Sequence, residues 1–204
     1  MSSPGRALFV QLLQVVLMVS VVRAANAGTE TPGDPVEKHL AKLERYVTEW
    51  KVREHHFNTR GEQIATVMGT EEIIWILGKR AIQRTYTTTS DSTSFRAIGT
   101  LTWNDVTKQY QGIWIDNVST TGPATVEGKW NEGDQTMVYT IDSLAADGST
   151  VRHRVVERFL DEDNREAVTY RLAGSSVIKM LEVQYQRTIP CPGRHIRVID
   201  ELNP

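Results

Sequence analysis

The chain has 204 residues, with 23 basic and 25 acidic side chains and a formal net charge of −2. This length suits one domain with a substantial core. The near balance of charge gives no indication of the strongly basic surface with which proteins bind nucleic acids or anionic membranes, so we expect neither as a partner.

The first 27 residues have the pattern of a secretory signal peptide. Arg6 precedes an apolar stretch from Ala7 to Val22, and Ala25-Asn26-Ala27 then provides a small-x-small cleavage site. The apolar stretch is shorter than the roughly 20 residues of a membrane-spanning helix, and two glutamines interrupt it. We therefore predict cleavage, no membrane span afterwards, and a periplasmic or extracellular protein.

A short helix is predicted to open the domain. Asp34 is a suitable N-cap, Pro35 takes the first helical position, and Glu37 follows three residues after the cap. Apolar residues from Val36 to Val47 recur at helical spacing, which gives this helix one apolar stripe that packs on a larger element.

From Trp50 onward the pattern changes to period two, and turn signals recur about every ten residues. They divide the chain into about ten strands with short connections. Such connections favour an antiparallel meander, and closure into a barrel avoids open sheet edges. We predict an all-β fold, an antiparallel up-and-down barrel with one short N-terminal helix. A two-sheet sandwich is the alternative.

Domain limits follow from these elements. We predict a spacer over residues 28–34, a single barrel domain over 35–188 and a C-terminal tail over 189–204. The single cysteine, Cys191, lies in that tail and cannot form an internal disulfide. It remains a free thiol or pairs two chains, so we expect a monomer or a homodimer.

One hairpin of the predicted barrel can be tested for its register. Placing Leu101 opposite Tyr110 separates an apolar face from a polar one, whereas a shift by one residue mixes them. On this alignment Trp114 lies opposite Ala97 and points into the barrel. Asp116 shares that inner face, two residues nearer the strand end.

The same alternation predicts further inward rows, which are mostly aromatic or aliphatic. Arg84, His153 and Glu157 are set among them. The rows are Ile73 with Trp75 and Leu77, Ile82 with Tyr86, Val151 with Val155 and Phe159, Val168 with Tyr170 and Leu172, and Leu181 with Val183 and Tyr185.

Inward charges are costly without partners, by several kcal/mol each. Two interpretations follow. In the first, Arg84 pairs with Asp116 or Glu157 inside a filled barrel, or these residues lie at its solvated rims. In the second, these polar groups converge on a cavity that holds one small ligand.

Several short motifs recur in an order and spacing typical of a known family. They are Leu43, Trp50, Gly78-Lys79-Arg80, Tyr86, Gly99, Trp103-Asn104, Tyr110, Trp114-Ile115-Asp116, Gly128 and Leu181-Glu182-Val183-Gln184-Tyr185-Gln186-Arg187. By these residues the chain resembles a bacterial family catalogued as domain of unknown function 1579. It departs from that family at Thr48, where a glycine is usual, and at Trp103-Asn104, where Tyr-Asp is usual.

This resemblance implies a small antiparallel β-barrel of the lipocalin-like and nitrobindin-like group, and no established activity. Nitrobindin-like barrels hold haem iron through a histidine, so the resemblance allows haem as a cofactor bound by His153. The short motifs of the haem-binding branch are missing from this chain, and a hydrogen bond from His153 to a neighbour such as Glu157 is the simpler interpretation.

Motifs for metals and for nucleophilic catalysis are missing as well. His55 and His56 are adjacent and point to opposite faces of a strand, so they cannot bind one ion together. The chain has no Gly-x-Ser-x-Gly elbow and no His-Glu-x-x-His helix. We assign no catalytic residue and no metal ligand.

The leading hypothesis is a non-enzymatic barrel that binds a small hydrophobic or amphipathic molecule. One alternative is a hydrolase-like enzyme that uses Asp116 and Glu157, and another is a filled structural barrel that makes contacts through an outer patch of Ile98 and Ile113. The predicted ligand-binding residues are Trp75, Arg84, Tyr86, Trp114, Asp116, His153 and Glu157.

Overall fold

The computed structural model describes residues 35–90 and 94–189. A short helix, α1, spans Pro35–Leu40 and continues as a 3₁₀ helix over Ala41–Tyr46. Ten strands follow: β1 Thr48–Phe57, β2 Gln63–Ile76, β3 Ala81–Thr89, β4 Ser94–Asn104, β5 Gln109–Asp116, β6 Ala124–Asn131, β7 Thr136–Leu144, β8 Thr150–Phe159, β9 Asn164–Ala173 and β10 Ser176–Arg187.

The ten strands form a closed antiparallel barrel. Each strand pairs with its neighbours in the chain, and β1 pairs with β10 from Trp50 opposite Arg187 to His56 opposite Leu181. Closure leaves no strand edge unpaired, which explains why so many short strands are stable together. The predicted up-and-down barrel is confirmed, and the sandwich alternative is wrong.

The helical segment covers one end of the barrel, which we call the closed end; the opposite end is the mouth. The imidazole of His39 stacks on Trp103 with ring centroids 3.5 Å apart. The Tyr110 hydroxyl donates a 2.8 Å hydrogen bond to the carbonyl oxygen of His39. Leu43 and Tyr46, on the barrel side of the 3₁₀ helix, are fully buried. These contacts seal the closed end against water.

The register of the hairpin between β4 and β5 differs from the predicted one by two residues. Tyr110 pairs with Trp103 instead of Leu101, and Trp114 pairs with Gly99. A shift by two residues keeps every side chain on its face, so the predicted inner face is right. Apolar alternation is the same in both registers and cannot distinguish them. The observed register leaves a four-residue turn between the strands, in which Oδ1 of Asn104 accepts hydrogen bonds from the N–H groups of Val106 and Thr107.

Strand β9 presents the face opposite to the predicted one. Arg165 is 1% exposed and Ala167 is 4% exposed, so they belong to the inner row. On the outside, the guanidinium of Arg154 lies 5.7 Å from the ring of Tyr170. The ion pairs that the interior offers to Arg165 decide the orientation, against the apolar pattern. The predicted inward row was therefore wrong for Val168, Tyr170 and Leu172. It was also wrong for Leu77, which lies in the turn after β2 and is 77% exposed.

Some predictions concern residues outside the described ranges. The signal peptide over residues 1–27, the spacer, the Asp34 cap and the tail from residue 190, with Cys191, lie there. Within the described ranges, no helix has both the length and the apolar character needed to cross a membrane.

Candidate functional site

The barrel encloses a cavity of about 730 Å³ that extends from the mouth to the middle of the barrel. All ten strands contribute residues to its lining. This volume lies within the roughly 300–1,000 Å³ of ordinary small-molecule sites. The interior is therefore not filled by side chains alone.

The upper walls of the cavity are largely apolar. Their aliphatic side chains come from four strands, and those of Val126 and Val183 are buried. The aliphatic residues of these walls are Val126, Ile141, Val155, Leu181 and Val183.

One side of the cavity is an aromatic wall. The ring of Tyr86 lies 6.1 Å from Trp114 and 6.3 Å from Phe95, measured between centroids. Gly99 pairs with Trp114 across β4 and β5, and a Cβ at this glycine would lie 2.8 Å from Cε3 of the indole. The missing side chain makes the room in which the indole lies flat against the wall.

Four charged side chains form an ion network at the floor of the cavity. The Nε of Arg84 donates a 2.6 Å hydrogen bond to Glu71, and its Nη2 lies 3.5 Å from Oε1 of Glu157. Arg165 donates to both carboxylates, from Nη1 to Glu157 and from Nη2 to Glu71. Two positive and two negative groups balance one another, which is the condition for burying them.

Aromatic rings surround Arg165 beneath this floor. Its guanidinium carbon lies 3.6 Å from the ring centroid of Tyr185, 4.6 Å from Trp50 and 5.4 Å from Tyr46. Arginine stacks favourably on aromatic faces, and the arrangement fixes the orientation of the guanidinium. The network is thus rigidly built.

Ionisation of Glu71 is maintained by this network. Burial on its own raises the pKa of the carboxyl group, but the guanidinium groups of Arg84 and Arg165 outweigh burial and hold the pKa below its ordinary value of 4.5. Glu71 accepts hydrogen bonds at both oxygens. Glu157 accepts them at Oε1 only, and its Oε2 has no hydrogen-bond partner within the described residues.

A second cluster of polar side chains lies on the wall where β1 and β3 flank β2. The Tyr86 hydroxyl donates a 2.6 Å hydrogen bond to Oε1 of Glu54, and Nε2 of His56 lies 2.8 Å from Oε2 of the same carboxylate. Burial, with the nearby Tyr185 and Glu54, raises the pKa of Tyr86 well above 10.0. The tyrosine therefore stays protonated and serves as a hydrogen-bond donor.

Asp116 and His153 are two of the polar residues that line the cavity near its mouth. Oδ1 of Asp116 accepts hydrogen bonds from the backbone N–H groups of Val118, at 3.0 Å, and Ser119, at 2.6 Å, so it orders the loop that follows β5. Burial and the charge of Arg171 lower the pKa of His153, which keeps its imidazole neutral near pH 7.

Six of the seven predicted ligand-binding residues line the cavity. Trp75 does not: its indole N–H donates a 2.8 Å hydrogen bond to Glu44 of the 3₁₀ helix. The alternation of side chains along β2 placed Trp75 on the inner face correctly. Because Trp75 lies near the closed end, it contacts the helical segment instead of the cavity. The six are Arg84, Tyr86, Trp114, Asp116, His153 and Glu157.

Sequence reasoning missed Glu54, His56, Glu71 and Arg165. Glu54 and His56 continue the inner row of Trp50 along β1, and a period-two count from that tryptophan would have found them. Arg165 had no such signal, because the inner row of β9 is the less apolar of its two faces.

Metal binding finds little support within residues 35–90 and 94–189, where no group of three His, Cys, Asp or Glu side chains converges. His153 lines the cavity and is neutral, the form in which imidazole binds a metal. Haem binding through this residue stays a prediction.

Comparison with known proteins gives a family and a fold. The model of a family described as protein of unknown function (DUF1579) matches residues 34–187. No curated protein sequence matches the chain.

Two solved structures are similar to this barrel. An S-type phycobiliprotein lyase from Guillardia theta superposes with a TM-score of 0.53 at 14% identity, over 76% of this chain and 94% of that one. A redesigned β-barrel gives a TM-score of 0.39 at 13% identity, over 72% of this chain and 96% of the other. The first of these shows a shared fold.

Proposed function

We propose, for a chain that belongs to the DUF1579 family of proteins of unknown function, that its barrel binds one small, largely apolar molecule in its interior. The observation that carries this proposal is the cavity of about 730 Å³, with apolar walls and a few fixed polar groups at the floor. Ligand sites typically combine these two features. The fold shared with a phycobiliprotein lyase is compatible with a small-molecule role.

The rival interpretations fit the geometry less well. A filled structural barrel would have no space of this size. A hydrolase needs two carboxylates on either side of one scissile bond. Asp116 belongs to the mouth and orders a loop, whereas Glu157 belongs to the floor and pairs with Arg165. Their roles in the fold are separate, which favours binding over hydrolysis.

A cavity-filling substitution tests the proposal. Thr169 lines the cavity, while Thr140 is a similarly half-buried threonine on the outer face of β7. Phenylnaphthylamine, a neutral dye that fluoresces in apolar sites, should bind the wild-type protein saturably. Thr169→Phe should weaken this binding at least about tenfold, because the new ring occupies the ligand's space. Thr140→Phe is the matched control and should bind as the wild type does.

Two results would refute the binding proposal. One is the lack of saturable dye binding to the folded wild-type protein. The other is equal binding by Thr169→Phe and Thr140→Phe, since the dye would then lie outside the barrel.

We propose further that the protein is exported to the periplasm or the extracellular space. The basis is the signal-like pattern of residues 1–27. Expression of the full chain in a bacterial host, followed by cell fractionation and intact mass measurement, should give an exported product that begins at Gly28. A cytoplasmic product that retains residues 1–27 would contradict export.

A further inference from the structure

The two carboxylates at the cavity floor are not equivalent. Both oxygens of Glu71 accept hydrogen bonds, one from Arg84 and one from Arg165. Glu157 receives both of its guanidinium contacts at Oε1, and Oε2 has no partner within the described part of the chain. The network therefore leaves one acceptor position unused.

That position has an energetic consequence. Glu157 is 1% exposed, so bulk water does not solvate it, and it belongs to the lining of the cavity. A buried carboxylate oxygen without a hydrogen bond loses its solvation and receives nothing in exchange. Almost none of the surface of Oε2 is open even to a water-sized group, so a ligand donor removes this cost only if the carboxylate of Glu157 turns toward the cavity.

The charged side chains that line the cavity also favour a ligand without negative charge. Glu54 and Asp116 line it in addition to Glu71 and Glu157. Among the residues that the structure describes, Arg84 is the only arginine or lysine in the lining, and it is already bound to Glu71. Arg165 lies behind the floor and serves the same carboxylates. A negatively charged ligand would meet an excess of carboxylates, and a hydrogen-bond donor would not.

We infer that the ligand has a hydrogen-bond donor without negative charge, an alcohol, amide N–H or amine, at its buried end, and that the carboxylate of Glu157 turns toward the cavity so that this donor binds Oε2. This inference rests on the proposed function and specifies the class of molecule that the cavity takes. Fatty-acid carboxylates are accordingly poor ligands, although their chains match the apolar walls.

A series of four ligands with matched chains tests the inference on the wild-type protein. Decanol and decylamine carry donors, methyl nonyl ether is the acceptor-only isomer of decanol, and decanoate carries a negative charge. Each competes with phenylnaphthylamine at concentrations below micelle formation. Decanol and decylamine should bind at least about tenfold more tightly than the ether and decanoate, since only they satisfy Glu157.

Glu157→Gln gives an independent reading of the same contact. In this variant the amide oxygen remains bonded to Arg165, because a guanidinium group donates hydrogen bonds and accepts none. The amide NH₂ group therefore takes the position of Oε2. The preference for decanol over methyl nonyl ether should then disappear or reverse. Glu166→Gln, on the outer face of β9 and paired with Arg158, should keep the wild-type preference. If Glu157→Gln does not fold, the wild-type series decides alone.

The outcomes separate this inference from the proposed function. Equal binding of all four ligands, or tighter binding of decanoate, would overturn the inference while the binding barrel stands. Failure of the dye and of all four ligands to bind would overturn both. A preference for decanol and decylamine that Glu157→Gln abolishes supports both.

Discussion

Gly99 and Trp114 pair directly across β4 and β5, and the indole occupies the space that a side chain at Gly99 would need. A Cβ at this position would lie 2.8 Å from Cε3 and 3.2 Å from Cζ3 of Trp114. This contact sets the angle of the aromatic wall and therefore the shape of the cavity. A larger residue at Gly99 must push the indole toward the cavity.

We predict that Gly99→Ala lowers the free energy of unfolding by about 1–3 kcal/mol, the usual cost of overpacking. It should also change the emission spectrum of Trp114, because the ring moves. Urea denaturation and fluorescence measure the two effects. Gly133→Ala is the control: its Cβ would approach Oδ1 of Asn131 no closer than 3.4 Å. Equal stability of both variants would contradict the packing argument.

The buried ion network should be far more sensitive than a surface pair. Arg165→Met leaves the two buried carboxylates with Arg84 as their remaining guanidinium partner and should cost about 3–5 kcal/mol of unfolding free energy. Arg158 pairs with Glu166 on the outer face, with 51% and 32% of the side chains exposed, so Arg158→Met should cost less than about 1 kcal/mol. Chemical denaturation of both variants measures the difference, and similar values would contradict it.

Acid should destabilise the barrel through Glu71. The pKa of this carboxyl group is lowered in the folded protein, so its contribution to stability is complete above its ordinary value of 4.5 and is lost as the pH falls through the lower folded value. Urea midpoints between pH 7 and pH 3 should decrease most below that ordinary value. Glu71→Gln should be less stable at pH 7 and show a shallower decrease. A wild-type midpoint that stays constant over this range would contradict the prediction.

One of the hydrogen bonds that hold the helical segment, residues 35–46, on the barrel comes from Tyr110. Tyr110→Phe removes the 2.8 Å bond to the carbonyl oxygen of His39 and should cost about 1 kcal/mol. Hydrogen exchange should accelerate over residues 35–46 more than in the strands. Tyr170→Phe, on the outer face of β9, is the matched control and should leave exchange in the segment unchanged. Acceleration by both variants, or by neither, would argue against a specific anchor.

Sequence alone predicted much of the fold because local rules determine it. The period-two pattern and the regularly spaced turn signals predicted the ten strands. The alternation of side chains along β5 was enough to predict that Trp114 points inward. The predicted register between β4 and β5 was wrong by two residues, because a shift by two leaves every side chain on the same face of the sheet. In β9 the more apolar face lies outside, since the interior supplies Arg165 with two carboxylates from other strands.

The candidate site was predicted in part for the same reason. The alternation of side chains within single strands predicted six of the lining residues. It does not show how far along the barrel axis a residue lies. That is why Trp75, near the closed end, was assigned to the cavity. The network of Glu71, Arg84, Glu157 and Arg165 depends on which strands face each other across the closed barrel, and local patterns do not contain this information.

Tryptophan fluorescence tests the central claim, a binding cavity inside the barrel, most directly. Of the five tryptophans, Trp114 is the one that lines the cavity, whereas Trp75 packs on the helical segment. The protein is titrated with decanol, decanoate and phenylnaphthylamine. At least one of them should change the emission saturably in the wild-type protein and in Trp75→Phe. The same ligand should cause little or no change in Trp114→Phe. No saturable change with any of the three, or an undiminished change in folded Trp114→Phe, would contradict the account.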